Sequence, residues 1–126
     1  MSYLILVVDD DDKLRVLYRV ILEREGYLVD EAANGAEALK YLSSHTPNLI
    51  ILDMLMPILG GEAVLRRIQQ NPALSSVCLI VLTAYPRFRD ALPPLFVGQF
   101  LVKPVTPEQI VSAVRAGLDG QPRLPG

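Results

Sequence analysis

The chain has 126 residues, with 12 Lys+Arg against 14 Asp+Glu, a formal net charge of −2 and 51% apolar residues. That length suits one domain whose core needs no metal or disulfide staple, and the composition excludes disordered and collagen-like chains. The weakly acidic balance argues against direct nucleic-acid binding, which needs clustered Lys and Arg.

One cysteine, Cys78, cannot close an internal disulfide, which fits a reducing cytoplasm. The N-terminal MSYLILVVDDDD has an apolar run too short for a signal peptide and no basic leader. No stretch reaches the ~20 apolar residues of a membrane span. The expectation is a cytoplasmic protein with no membrane contact.

In chain order, five short apolar runs recur: Tyr3–Val8, Leu28–Ala32, Leu49–Leu52, Val77–Leu82 and Phe100–Val102. Most are near-continuous, as expected of parallel strands covered on both faces. Helical patterns lie between them. Leu14, Leu17, Tyr18, Ile21 and Leu22 predict an inward stripe, ended by Gly26. Asn34 and Glu37 start a second helix with Ala38, Leu39 and Leu42 inward. Val64, Leu65 and Ile68 mark a third, stopped near Asn71-Pro72.

The fourth helical place is occupied by YPRFRDALPPLFVGQ. An interior proline costs a helix about 3 kcal/mol, so Pro86, Pro93 and Pro94 predict a short or broken helix. Thr106-Pro107-Glu108-Gln109 is a helix start with a cap, Pro at the first position and Gln three residues on. Ile110, Val111, Val114 and Leu118 then face the core. The rhythm is (βα)5, a parallel sheet between helical layers. One domain is expected over residues 1–119, with 120–126 as a tail or the start of a linker.

In such a sheet, ligands sit beyond the carboxyl ends of the strands. Asp9 to Asp12 follow run one, Asp53 follows run three, Thr83 and Ala84 follow run four, and Lys103-Pro104 follows run five. Run two ends in Glu31, with no reactive group. Asp9, Asp10 and Asp53 would crowd together, and like charges that close repel and raise each other's pKa. A 4 Å pair at an effective dielectric near 20 costs about 4 kcal/mol gross. Lys103 offsets part of that, and a hard divalent cation such as Mg²⁺ would offset the rest. An Asp carboxylate can then act as a nucleophile towards phosphorus. Asp53, alone after a wholly apolar strand, is the best nucleophile. Asp9 and Asp10 suit the metal, and Thr83 offers a hydroxyl to a phosphoryl oxygen. Asp11 and Asp12 read as a solvated helix start.

The stretches ILVVDDDDKLR, PNLIILDMLMPILGGEAVL, IVLTAY and FLVKP together resemble the receiver domain of two-component response regulators. The resemblance implies the flavodoxin-like strand order 2-1-3-4-5. It makes Asp53 the phosphoacceptor, with Mg²⁺ held by Asp10, Asp53 and the Leu55 backbone carbonyl, and Asp9 nearby or through water. Thr83 would be the switch hydroxyl, Phe100 the switch aromatic and Lys103 the phosphoryl contact, with Lys103-Pro104 usually cis. Implied partners are a sensor histidine kinase or phosphotransfer protein, a downstream protein target or fused output domain, and a possible homodimer. The domain would be a phosphorylatable regulator, not an enzyme with external turnover. There are three departures. Gly60 occupies a position that is often acidic or an amide, Phe100 replaces the more common Tyr, and the segment from Thr83 to Lys103 is a little short and holds Pro93-Pro94.

Other readings are weaker. An aspartyl-phosphate hydrolase would carry an acid two residues after its nucleophile, where Leu55 stands. No Gly-rich nucleotide loop is present. A receiver-like docking module signalling without phosphate is kept open only by the proline-broken segment. Cys78 reads as a buried thiol, His45 as a loop residue and Tyr85 as a residue near the pocket mouth.

Overall fold

The computed structural model describes residues 2–92 and 98–119. The strands are β1 (Leu4–Val8), β2 (Leu28–Ala32), β3 (Leu49–Leu52), β4 (Cys78–Thr83) and β5 (Gln99–Val102). They form one parallel sheet in the order β2-β1-β3-β4-β5. The α-helices are α1 (Asp12–Arg24), α2 (Gly35–Leu42), α3 (Gly61–Gln69) and α4 (Pro107–Leu118). The fold is flavodoxin-like, as expected from the βα rhythm and the resemblance.

Strand side chains alternate between faces, and the core divides accordingly. Ile5, Val7, Leu49, Ile51, Ile80 and Leu82 pack with Tyr18 and Leu22 of α1 and Ile110 and Val114 of α4. Leu6, Val8, Ile50, Leu52, Leu79 and Val81 pack with Ala38 of α2 and Val64, Leu65 and Ile68 of α3. The continuous apolar runs are thus strands buried on both faces. β2 differs because it is an edge: Leu28 is exposed and its burial alternates.

The helix boundaries follow their caps. Asp11 accepts from the Lys13 and Leu14 N–H groups at the head of α1. Gly26, just past its end, has φ +92°, which an L side chain adopts only with strain. At α2, the Asn34 side chain accepts from Glu37 N–H, and the Glu37 carboxylate accepts from Ala33 N–H. At α4 the Thr106–Gln109 capping box is closed in both directions.

The fourth helical segment is a short 3-10 helix over Pro86–Ala91, in line with the prolines. Pro93 and Pro94 lie outside the described residues, as does the predicted tail at 120–126. Leu17 departs from expectation: it is 48% exposed, alongside exposed Val16 and Val20. The apolar stripe on α1 is wider than the sheet and α4 cover, so spacing alone could not select the inward members. Cys78 is half-buried rather than sealed, because it starts β4 at the open end of the sheet, where its thiol donates to the Gly117 carbonyl at 2.6 Å. His45 is an exposed residue stacked on Tyr41.

Thr106→Ala removes the cap of α4 and should destabilise the chain by about 1 kcal/mol. Urea denaturation followed by circular dichroism would measure it as a lower midpoint at unchanged slope.

Candidate functional site: an acidic cup at the carboxyl edge of the sheet

The ends of β1, β3 and β5 are each extended by one ladder hydrogen bond. Asp9 N–H donates to Ala32 O at 3.2 Å, Asp53 N–H to Val8 O at 3.0 Å, and Lys103 N–H to Thr83 O at 2.8 Å. The alternation of the strands therefore continues into these residues. Asp9 is in phase with Ile5 and Val7, Asp53 with Leu49 and Ile51, and Lys103 with Leu101, all of which face α1 and α4. Thr83 and Phe100 have the opposite phase, shared with Leu79 and Val81.

That phase brings remote residues together. Lys103 Nζ donates to Asp9 Oδ2 at 2.8 Å and to Asp53 Oδ2 at 3.1 Å. Asp9 is 2% exposed and Asp53 is 7% exposed. Their second oxygens are also held: Asp11 N–H donates to Asp9 Oδ1 at 2.9 Å, and Leu55 N–H to Asp53 Oδ1 at 3.2 Å. Asp10 is exposed, yet oxygens of Asp9, Asp10 and Asp53 all lie within 4.8 Å of one another. These carboxylates line an open cleft of about 560 Å³ with Lys103, Leu55 and Tyr85.

Burial raises the Asp53 carboxyl above its ordinary 3.8. The Lys103 charge and hydrogen bond pull it back, and the Asp9 charge pushes it up again. Burial works against the Lys103 ammonium, but the two carboxylates more than compensate, so its pKa is raised. A hard divalent cation fits this donor set of converging carboxylate oxygens.

Thr83 is fully buried, and its Oγ1 accepts from Tyr85 N–H at 3.4 Å. Phe100 is half-buried at the rim of the α2/α3 core, with the Arg89 guanidinium 4.5 Å from its ring centre. The Lys103-Pro104 bond is cis. Gly61 heads α3 directly against β3: a Cβ there would stand 2.5 Å from the Asp53 carbonyl, so only glycine permits this approach.

Sequence reasoning missed two members of the surroundings. Glu31 is not inert; it accepts from Arg15 Nε at 2.9 Å and also pairs with Arg19. Arg15 in turn grips the Asp9 carbonyl at 2.7 Å. Their signal is charge complementarity between α1 and β2, which becomes readable only once the sheet order sets the two elements side by side.

The family model "Response regulator receiver domain" matches residues 5–115. The chain belongs to this family. It is 39% identical over 114 residues to the transcriptional regulatory protein ResD of Bacillus subtilis, covering 89% of this chain and 46% of ResD. It thus spans about half the length of that relative. Among solved structures, the signal receiver domain of a signal transduction histidine kinase from Syntrophus aciditrophicus is 32% identical. That match has a TM-score of 0.89 and covers 99% of this chain and 96% of that one. Response regulator TrrA from Thermotoga maritima, solved in complex with Mg²⁺-BeF, is 34% identical with a TM-score of 0.79, covering 92% and 98%. The chain is a phosphoacceptor signalling domain of the two-component type. Its acidic cluster could hold a metal ion, and no helix among the described residues is long and apolar enough to cross a membrane.

The raised Asp53 carboxyl sets a sign for stability. The folded chain binds that proton more tightly than the unfolded chain, so stability falls as pH rises from 3.8 through the folded value. Without divalent ions at neutral pH, Asp53→Asn should therefore melt a few degrees above wild type, with the gap closing as pH falls towards 4. Calorimetry in EDTA at several pH values would check it, and a lower melting temperature at neutral pH would contradict the crowding.

Proposed function

We propose that Asp53 is the phosphoacceptor of this receiver domain and that Asp9, Asp10, Asp53 and the Leu55 carbonyl hold Mg²⁺. The observation that carries the reading is the Lys103 ammonium bonded to both Asp9 and Asp53 inside a group of three converging carboxylates. TrrA, a relative of the same fold, binds Mg²⁺-BeF.

In this reading an oxygen of ionised Asp53 attacks the phosphorus of a phosphohistidine on a sensor kinase or phosphotransfer protein. The O–P bond forms as the P–N bond breaks, and the imidazole leaves with the electron pair and takes a proton from solvent. Bound Mg²⁺ supplies positive charge to the phosphoryl oxygens. Lys103 stands close enough to follow one of those oxygens, and it loses little by doing so because Asp9 remains its partner. Thr83 presents a hydroxyl from the neighbouring strand. Phosphoryl transfer asks for little beyond such positioning and charge neutralisation.

The downstream consequence belongs to the opposite phase of the sheet. Thr83 drawn towards the acyl phosphate would vacate space on the side where Phe100 packs, biasing a two-state equilibrium of the β4–β5 face. The domain covers residues 1–119, with the remainder as a tail or linker start. It turns over no external substrate, works in the cytoplasm where ATP-charged kinases act, and passes the signal to a protein target or a fused output domain. Homodimerisation through the β4–β5 side is compatible with this reading.

Incubation with acetyl phosphate and Mg²⁺ should add the mass of one phosphoryl group to the wild type and none to Asp53→Asn, read by intact-mass spectrometry. Equal labelling of both would remove Asp53 from the role. Omitting Mg²⁺ should suppress the adduct.

A further inference from the structure

Arg15 projects from the first turns of α1 back under the acidic loop, and its planar guanidinium meets three acceptors. Nη1 donates to the Asp9 carbonyl at 2.7 Å, Nε to Glu31 Oε1 at 2.9 Å and Nη2 to Asp12 Oδ1 at 2.6 Å. Its side chain is only 13% exposed. Glu31 is a firm anchor, because it is paired in the β1–β2 ladder opposite Val7 and is also bound by Arg19.

The Asp9 carbonyl belongs to the peptide unit that joins Asp9 to Asp10, and that unit is planar. The Asp9 end is fixed independently by its N–H and by both carboxylate oxygens. One freedom left is rotation of the Asp9–Asp10 peptide, which helps to set where the exposed Asp10 carboxylate points. The Arg15 bond to the carbonyl removes that freedom.

We propose that Arg15 is a positioning residue for divalent-cation binding: by gripping the Asp9–Asp10 peptide it holds Asp10 where its carboxylate meets those of Asp9 and Asp53. This rests on the reading of the cup as a cation site. The inference has a sign that charge alone contradicts. A guanidinium near a cation site repels the cation, so its removal should tighten binding by simple electrostatics. Loss of positioning should weaken it, and outer partners of metal ligands are typically worth 10–100-fold in affinity.

The probe is Mn²⁺, titrated into the full chain and read by electron paramagnetic resonance, with metal-free melting curves alongside. Arg15→Gln should bind Mn²⁺ about tenfold more weakly than wild type. Arg15→Lys keeps the charge but lacks the three-way fork, and should also bind more weakly. Arg19→Gln removes the same charge from the same Glu31 without touching Asp9, and should bind at least as tightly as wild type even where its melting temperature falls. Arg15→Gln binding as tightly as wild type, or more so, overturns the inference. If that variant does not fold, unchanged affinity in Arg15→Lys overturns it instead. A wild type that binds no Mn²⁺ overturns both the cation-site reading and this inference. Binding that Asp10→Asn abolishes while the Arg15 variants leave it unchanged overturns the inference alone.

Discussion

One ammonium group holds the working edge of this molecule together. Lys103 lies 94 residues from Asp9 and 50 from Asp53, yet it bonds to both. None of the three could be buried alone, since an unpaired charge in a protein interior is strongly unfavourable. Together they are tolerated, provided that β1, β3 and β5 end at the same level. The cup is still not neutral. Three carboxylates and one ammonium leave two negative charges, the charge that one divalent cation cancels. The same imbalance makes the acidic cluster one that could hold a metal ion.

The two-residue period of the strands divides the edge into two compartments. Asp9, Asp53 and Lys103 continue the side chains facing α1 and α4, whereas Thr83 and Phe100 continue those facing α2 and α3. The proposed phosphoacceptor and the proposed switch pair therefore sit on opposite sides of one layer of backbone. Thr83 is fully buried and lies at the junction, one ladder bond from Lys103. Its strand neighbour in the register is Val102, while Phe100 pairs with Val81 two residues earlier, so Thr83 and Phe100 share a face of adjacent strands.

Most of this was legible in the sequence because strong local signals agreed with the global pattern. Apolar runs gave the strands, Asn34 and Thr106 gave helix starts, and the prolines after Tyr85 foretold a short or broken helix where a 3-10 segment stands. The polar residues after each run were readable as one site because a parallel sheet puts all carboxyl ends on one edge. What stayed hidden depended on which neighbour covers what. Leu17 carries the same spacing signal as Tyr18 and Leu22 but lies outside the cover of the sheet and α4. Cys78 sits in an apolar run yet at its open end. Arg15 and Glu31 look like ordinary surface charges until β2 is placed beside β1 and α1. Spacing along one element says what can share a face, while the packing of a second element decides which face is dry.

The segment after β4 shows how a local weakness can be structurally useful. Pro86 opens a 3-10 helix in which no residue is fully buried, and Phe88 and the following Leu92 reach the α2/α3 core only as partly buried side chains. Aromatic and cationic contacts add to that packing: Arg87 lies over Tyr85 and Phe88, and Arg89 lies over Phe100. Such contacts at exposed sites are each worth about 0.5–1 kcal/mol, far less than a buried helix face. Phe100 has no hydroxyl to tie it to a polar partner; among the described residues its half-buried ring packs against the α2/α3 core and lies under the Arg89 guanidinium. In the proposed reading, an event of modest energy at Thr83, on the adjacent strand, would compete with the contacts that keep the ring in place.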